Sequence, residues 1–181
     1  EMQWSLVGSE MCIRDIIHME VGQPGTPAPS GAIRELTKKM NSESLGYTVA
    51  LGIPELRKKI SSLYKQWYGL DINPDRVIIT SGSSGAFILA FTALFDTSDK
   101  VGIGAPGYPS YKQILRALDI EPVIIETNIE NKFQISPNSI NNQELNGILV
   151  ASPANPTGSM LDSNQLTQLI KKCHDNSISF I

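Results

Sequence analysis

The sequence has few of the features that mark disulfide-rich, membrane or nucleic-acid-binding proteins. Only two cysteines occur, Cys12 and Cys173, and neither stands at a metal-ligand spacing, so neither a disulfide framework nor a metal site is expected. No apolar run approaches the roughly 20 residues that span a bilayer. The formal charge is −3, and the basic residues are scattered, which argues against nucleic-acid binding. The sequence therefore indicates a reducing, cytoplasmic setting without membrane or nucleic-acid partners.

What the sequence does contain is enough apolar material for an ordinary globular core. It has 181 residues, of which 41% are apolar and 18% charged, as is typical of a folded domain. Five short, β-branched runs bounded by Gly, Pro, Ser or Asp predict buried parallel strands. These runs read RVIITS, KVGIGA, PVIIE, GILVAS and SISFI.

Helical patterns alternate with these runs. Amphipathic or apolar segments follow the first, second and fourth runs, namely SSGAFILAFTALF, PSYKQILRAL and DSNQLTQLIKKCHDN. A further helix is predicted upstream in GIPELRKKISSLYKQWYG, where Leu56, Ile60, Leu63 and Trp67 share one face. The connection 127–143 is predicted to contain a turn around NIENKF and to run over the surface. Alternation of strand and helix predicts an α/β fold with a mostly parallel sheet.

The loop after the first predicted strand is a candidate phosphate site. It reads TSGSSGAF, so Gly82, Ser83 and Ser84 stand where an apolar helix begins. Backbone N–H groups, two hydroxyls and the positive end of the helix dipole would bind a phosphate without any lysine. An ordinary serine cap with glycines in a tight turn is the alternative interpretation.

Two more loops follow predicted strands, at the edge of the sheet where ligands bind in this class of fold. In APGYPSYK, Tyr108 stands between Gly107 and Pro109 and could stack on a planar ring, although a packed surface tyrosine fits the same pattern. In SPANPTG, Asn155 offers a neutral amide donor, although the segment also fits a plain turn. A phosphate site, a stacking face and an amide donor would then share one edge.

Five segments together resemble the class I aminotransferases and other fold-type I pyridoxal-phosphate enzymes. They read VGQPGTPAP, LGYTVALGIPELRKKI, ITSGSSGAFILAF, APGYPSY and SPANPTG. The resemblance runs from about residue 16 to residue 181, and it implies a three-layer αβα large domain with pyridoxal 5′-phosphate as cofactor. The residues it assigns to cofactor binding are Gly82, Ser83, Ser84, Tyr108, Asn155 and, toward the neighbouring subunit, Tyr47. It assigns Gly22 and Asn155 to the substrate.

The resemblance further implies transfer of an amino group from an amino acid to a 2-oxo acid by a homodimer. It covers roughly the first half of such an enzyme. The lysine that forms the Schiff base and the carboxylate that faces the pyridine nitrogen are expected beyond Ile181, so no catalytic residue is predicted within the chain. The chain alone is therefore predicted to be inactive.

The predicted domain organisation follows the same resemblance. Residues 1–15 match nothing in the family and are predicted to be non-native or disordered. Residues 16–43 are assigned to an N-terminal arm and part of the small domain, and residues 44–181 to a partial cofactor-binding large domain. The segment GQPGTPAP departs from the acidic and aromatic pair often found in the family, so substrate preference does not carry over.

Two other classes of function remain open from the sequence. A β-lyase or a synthase of the same fold type would share the cofactor residues, because these serve the cofactor rather than the reaction. An aminotransferase-like sensor domain of a transcription regulator would bind the cofactor without turnover.

Overall fold

The computed structural model describes residues 22, 24–44, 46–141 and 143–181. The chain divides into two compact units, Glu1–Thr48 and Val49–Ile181. The predicted segment 1–15 lies outside the described residues, and the arm and large-domain assignments stay predictions.

The described part of the first unit contains one helix, α1, over Ser30–Ser42. The N–H of Glu43 closes its last turn on the carbonyl oxygen of Lys39, and the two side chains form an exposed ion pair at 2.7 Å. This helix was not predicted from the sequence, because the segment begins among prolines and glycines. Its apolar residues Ile33, Leu36 and Met40 are exposed.

The second unit begins with the predicted amphipathic helix, now α2, over Pro54–Tyr68. Arg57 of this helix is 8% exposed, and its guanidinium donates to the carbonyl oxygens of Pro74 at 2.8 and 3.1 Å and Val77 at 2.9 Å, and to the carboxylate of Asp75 at 3.0 Å. These bonds attach the short 3-10 turn Pro74–Arg76 and the segment after it to the helix.

The prediction of a strand at RVIITS is wrong. The segment is extended, but it belongs to none of the strands in the described sheet. The N–H of Ile79 donates to the carbonyl oxygen of Leu51 at 3.0 Å. The carbonyl oxygen of Val77 accepts from the guanidinium of Arg57. The β-branched run indicated a buried strand, whereas Ile78 is 54% exposed. The backbone of this segment is bound by the Arg57 side chain and by a single loop residue. It therefore forms no continuous row of hydrogen bonds with a neighbouring strand of the described sheet.

The other four predicted strands are confirmed. They form one parallel sheet in the order β2-β1-β3-β4. Their bounds are β1 Lys100–Ala105, β2 Glu121–Glu126, β3 Gly147–Leu149 and β4 Ser179–Phe180. The shared register places Val101 of β1 beside Gly147 of β3. All four strands therefore end at the same edge.

Helices cover both faces of the sheet, as the three-layer prediction requires. The bounds of these helices are α3 Gly82–Leu94, α4 Pro109–Ala117 and α5 Ser163–Asp175. Phe91 of α3 and Leu115 of α4 pack with Leu149 in one core cluster. Leu169 of α5 packs with Ile148 in a second cluster. Because neighbouring strand residues point to opposite faces, the two clusters lie on opposite sides of β3.

The connection after β2 is only partly as predicted. A turn does form around NIENKF, where the N–H of Phe133 donates to the carbonyl oxygen of Asn128 at 2.7 Å. The path over the surface is wrong, because Ile135 and Ile140 are each 3% exposed and belong to the second core cluster. A 3-10 turn, Pro137–Ile140, ends this part of the connection.

Among the described residues, none of the helices is long and apolar enough to cross a membrane.

Candidate functional site

Two predicted site loops lie side by side at the carboxyl edge of the sheet. β1 is followed by the loop with Tyr108, and β3 by the loop with Asn155. Because β1 and β3 pair in parallel, both loops leave the sheet at the same edge. In open α/β sheets this is the edge where ligands bind.

Tyr108 is anchored by an aromatic neighbour. It is half-buried, and its ring centroid lies 5.4 Å from that of Tyr111, edge to face. Tyr111 in turn lies 5.0 Å from Phe87 of α3. Burial, and then the nearby Tyr108, raises the pKa of Tyr111 above its ordinary value, so the Tyr111 hydroxyl stays neutral at physiological pH.

Gly107 fixes the start of the Tyr108 loop. A Cβ atom built on this residue would lie 2.5 Å from the carbonyl oxygen of Gly104. Real Cβ atoms do not approach backbone oxygen so closely. The loop can therefore fold back on the end of β1 only if this position has no side chain.

The candidate phosphate loop forms the first turn of α3. Gly82 adopts φ +76°, and its N–H donates to the carbonyl oxygen of Thr80 at 2.9 Å. The N-cap residue Ser81 makes no side-chain capping bond, and Ser83 and Ser84 are exposed. The first N–H groups of a helix have no partner within the helix. Two hydroxyls and uncapped N–H groups are therefore presented together.

The direction of α3 brings this turn to the same edge as the other two loops. The ring of Phe95, just past the end of the helix, lies over Gly147 at the start of β3. The 13 residues of α3 span about 20 Å, as do the 6 residues of β1. Phe95 places the end of α3 at the edge where the strands begin. Because the helix is as long as β1, the start of α3 lies at the carboxyl edge. Consistent with this, Ser84 and Pro109 line one hollow of about 290 Å³.

Asn155 lies on a closed turn. The N–H of Gly158 donates to the carbonyl oxygen of Ala154 at 2.8 Å, and the N–H of Ala154 donates to that of Ser159 at 2.9 Å. Asn155 is exposed, and within the described part of the chain no hydrogen bond uses its side-chain amide. This amide is therefore available to a ligand.

Gln134 is a site residue that was not predicted from the sequence. It is 5% exposed, and its Nε2 donates to the carbonyl oxygens of Ser159 at 2.7 Å and Ala151 at 3.2 Å. In the sequence it stands between Phe133 and Ile135, where alternation predicts an exposed polar residue. No sequence signal marked it as buried.

A small cavity lies within this edge. Its volume is about 30 Å³, and its lining includes Asn155, Gln134, Tyr111 and the backbone at Gly107. It is far smaller than the roughly 300–1,000 Å³ typical of ligand pockets. Neither serine of the α3 turn nor Tyr108 lines it. Asn155 is therefore the one predicted cofactor residue that lines this cavity, and the exposed serines lie outside it.

Two predicted site residues lie in the other compact unit. Tyr47 and Gly22 belong to the unit Glu1–Thr48, and both are exposed. Their assignments to the neighbouring subunit's cofactor and to the substrate stay predictions.

The donor set at the carboxyl edge fits the chemistry of pyridoxal phosphate. The first turn of α3 supplies N–H and hydroxyl donors for a phosphate group. Tyr108 supplies an aromatic face, and the amide of Asn155 supplies a donor for a phenolic oxygen. The three kinds of group occur on the first turn of α3 and on the loops after β1 and β3.

Comparison with known proteins identifies aminotransferases as relatives of this chain. The family model for aminotransferase class I and II matches residues 14–181. The valine–pyruvate aminotransferase of Mycobacterium tuberculosis is 40% identical over 169 residues, which cover 92% of this chain and 44% of the relative. The (5-formylfuran-3-yl)methyl phosphate transaminase of Methanocaldococcus jannaschii is 37% identical, over 82% of this chain and 39% of the relative.

A solved structure agrees with the fold. An aminotransferase from Mycobacterium tuberculosis superimposes with a TM-score of 0.90 at 38% identity, covering 96% of this chain and 46% of that one. The chain therefore spans less than half the length of the proteins it matches. Together with the match of the family model over most of its length, this similarity shows that the chain belongs to the class I and II aminotransferase family.

Proposed function

We propose that this chain supplies the cofactor-binding edge of a pyridoxal-phosphate-dependent aminotransferase, which transfers an amino group from an amino acid to a 2-oxo acid. The observation that carries the proposal is the meeting of two hydrogen-bond donor groups and one aromatic face at a single sheet edge. Family membership supports the same reaction. When bound, pyridoxal phosphate supplies an electron sink for the amino acid, and the residues of the chain bind and orient it.

The phosphate is assigned to the first turn of α3. The hydroxyls of Ser83 and Ser84 and the N–H groups that follow Gly82 would donate to its oxygens. The positive end of the helix dipole adds to this attraction. Because the turn contains no lysine, phosphate binding depends on these oriented dipoles.

The ring of the cofactor is assigned to Tyr108 and Asn155. Tyr108 would stack on the ring face, and its contact with Tyr111 limits the orientations it can adopt. The amide of Asn155 would donate to the phenolic oxygen and stabilise negative charge on it. The same amide would help to orient the substrate.

The remaining assignments concern the complete enzyme. We propose a cytoplasmic homodimer in which Tyr47 reaches the phosphate bound by the neighbouring subunit and the Gly22 backbone lies near the substrate carboxylate. The full exposure of Tyr47 supports a role toward a partner surface.

We propose that the chain alone does not catalyse transamination. The reaction needs a lysine that moves a proton at the substrate's α-carbon. None of the residues that line the cavity is a lysine, and Lys100 begins β1 at the opposite edge. The chain supplied with pyridoxal phosphate, an amino acid and a 2-oxo acid should give no amino-group transfer. Turnover together with a borohydride-reducible adduct on one specific lysine would contradict this.

The test of the cofactor site uses pyridoxine 5′-phosphate, which has the ring, phenolic oxygen and phosphate but no aldehyde to react with surface lysines. Calorimetric titration of the chain should detect binding. The double variant Ser83→Ala, Ser84→Ala should weaken it about tenfold or more, because hydrogen bonds to charged groups contribute about 1.5–3 kcal/mol each. Ser163→Ala, at the first turn of α5, is the matched control. Equal binding by the double variant and the control would contradict the phosphate assignment.

A further inference from the structure

Gln134 enters the site from the connection that follows β2. Its neighbour Ile135 packs in the second core cluster, and Ile135 also lies against Gly104 of β1. This packing fixes the backbone directly after the glutamine. The side chain is itself 5% exposed. A buried amide in a fixed position costs free energy unless it forms hydrogen bonds.

The hydrogen bonds of Gln134 join the two ends of the loop that carries Asn155. Nε2 donates to the carbonyl oxygen of Ala151 at 3.2 Å on one side of the loop and to that of Ser159 at 2.7 Å on the other. The Ser159 hydroxyl lies 3.3 Å from the same nitrogen. The residues on either side of the loop 152–158 are therefore bound by the same side-chain amide.

A backbone hydrogen bond within the loop shares its acceptor with Gln134. The carbonyl oxygen of Ser159 that accepts from Gln134 also accepts from the N–H of Ala154 at 2.9 Å, and Ala154 directly precedes Asn155. We infer that Gln134 is a positioning residue, whose amide sets where the turn holds the Asn155 side chain. The inference rests on the proposed function for what Asn155 does, and on the contacts of Gln134 for how it is held.

A purely space-filling role would make different demands on the side chain. Space filling needs the volume of glutamine, whereas positioning needs a hydrogen-bond donor at Nε2, because the carbonyl oxygens of Ala151 and Ser159 can only accept. Gln134→Met keeps the size and removes the donor. Gln134→Lys keeps a donor at similar reach, because a buried amine donates whether or not it is charged. Gln168→Met, an exposed glutamine on α5, is the matched control.

The measurement is amide hydrogen exchange at Ala154 and Gly158, followed by NMR in the chain without any ligand. Both amides donate within the loop, so they report its opening. Gln134→Met should speed their exchange about tenfold, as expected for the loss of two hydrogen bonds. Gln134→Lys should stay within about threefold of the unmodified chain. The amide of Ile103 in β1 should keep its rate in every variant and shows that the sheet remains folded.

A fourth variant gives a pH profile that packing alone would not produce. The carboxyl introduced by Gln134→Glu is isosteric, donates when protonated and only accepts when ionised. Burial raises the pKa of such a carboxyl. Relative to the unmodified chain at the same pH, exchange should be near normal at pH 5 and about tenfold faster at pH 8. Tyr111, the titratable residue in the cavity lining, remains neutral throughout because its pKa is raised.

The outcomes separate this inference from the proposed function. Unchanged exchange at Ala154 and Gly158 in Gln134→Met, or equal acceleration in Gln134→Met and Gln134→Lys, would overturn the positioning role. Faster exchange in Gln134→Met with rescue by Gln134→Lys supports it. If that result is obtained and neither Gln134→Met nor Asn155→Ala weakens binding of pyridoxine 5′-phosphate, the positioning role stands and the proposed cofactor role of Asn155 fails.

Discussion

The rings of Phe87 and Tyr111 lie edge to face with 5.0 Å between their centroids. Phe87 belongs to α3, which begins with the candidate phosphate turn, and Tyr111 to α4, which begins just after Tyr108. This contact therefore joins two of the three parts of the site. It also explains why a half-buried tyrosine occupies the first turn of α4, since a ring there contacts both Phe87 and Tyr108.

The first prediction follows from this contact. Tyr111→Ala should lower the free energy of unfolding by about 2–3 kcal/mol, somewhat below the 3–5 kcal/mol lost on truncating a fully buried aromatic residue. Tyr111→Phe keeps the ring and should cost less than about 1 kcal/mol. Urea unfolding followed by circular dichroism gives both values. Equal losses in the two variants would show that the hydroxyl, and not the ring, holds the two helices together.

The second prediction concerns the backbone before Tyr108. Gly107→Ala should destabilise the chain by about 2 kcal/mol and shift the amide resonances of Tyr108 and Tyr111, because the new methyl group would collide with the Gly104 carbonyl oxygen. Gly25→Ala is the control, because a Cβ there meets nothing within 4 Å. Unfolding by urea and NMR spectra of both variants test this. A Gly107→Ala variant as stable as the control would contradict the close approach.

The third prediction separates the partners of Arg57. Arg57→Met should cost about 2–4 kcal/mol, because it leaves the carbonyl oxygens of Pro74 and Val77 without their buried donor. Asp75→Ala should cost less than about 1 kcal/mol, since its side chain is 83% exposed and water screens the ion pair. Urea unfolding of the two variants supplies the comparison. A larger loss in Asp75→Ala would mean that the ion pair, and not the carbonyl bonds, holds this segment.

The fourth prediction is a loss of stability at alkaline pH. Burial raises the pKa of the Cys173 thiol above its ordinary value of 9.0, with a smaller opposing effect from Lys172. Below pH 9 the thiol is protonated in both the folded and the unfolded chain, so it adds no pH dependence. Above pH 9 the unfolded chain loses this proton first. The free energy of unfolding should then fall, by up to about 1.4 kcal/mol per pH unit for this one group.

Urea unfolding between pH 7 and pH 10.5 tests this prediction with Cys173→Ala as the comparison. The variant should be less stable at pH 7, because it leaves a small cavity, but its stability should fall less steeply above pH 9. Parallel curves for the two proteins would show that another group causes the alkaline loss.

Parts of the fold that depend on local pattern were predictable from the sequence. Helix α2 was recognised from one apolar face that includes Leu56 and Trp67, with Pro54 near its start. The four strands of the sheet were recognised as short β-branched runs. The placement of Tyr108 and Asn155 at one edge was predictable from those strands, because parallel strands bring the loops after them together.

The parts that depend on distant contacts were not predictable. RVIITS has the composition of a strand, but Arg57, some 20 positions away, binds the carbonyl oxygen of Val77. Gln134 looked like an exposed residue of a loop, and only the folded chain brings its amide to Ala151 and Ser159. In both cases a side chain from another segment satisfies backbone groups, which periodicity in the sequence does not reveal.

The most direct test of the cofactor site is an NMR titration of the isotope-labelled chain with pyridoxine 5′-phosphate. The largest shifts are expected at the backbone amides of Ser83 and Ser84, at Tyr108 and at the side-chain amide of Asn155, and they should saturate together with one dissociation constant. Residues at the opposite edge, such as Lys100 and Gly147, should stay unshifted. Shifts confined to that opposite edge, or serine and Asn155 signals that saturate at different concentrations, would contradict a single site built from these three loops.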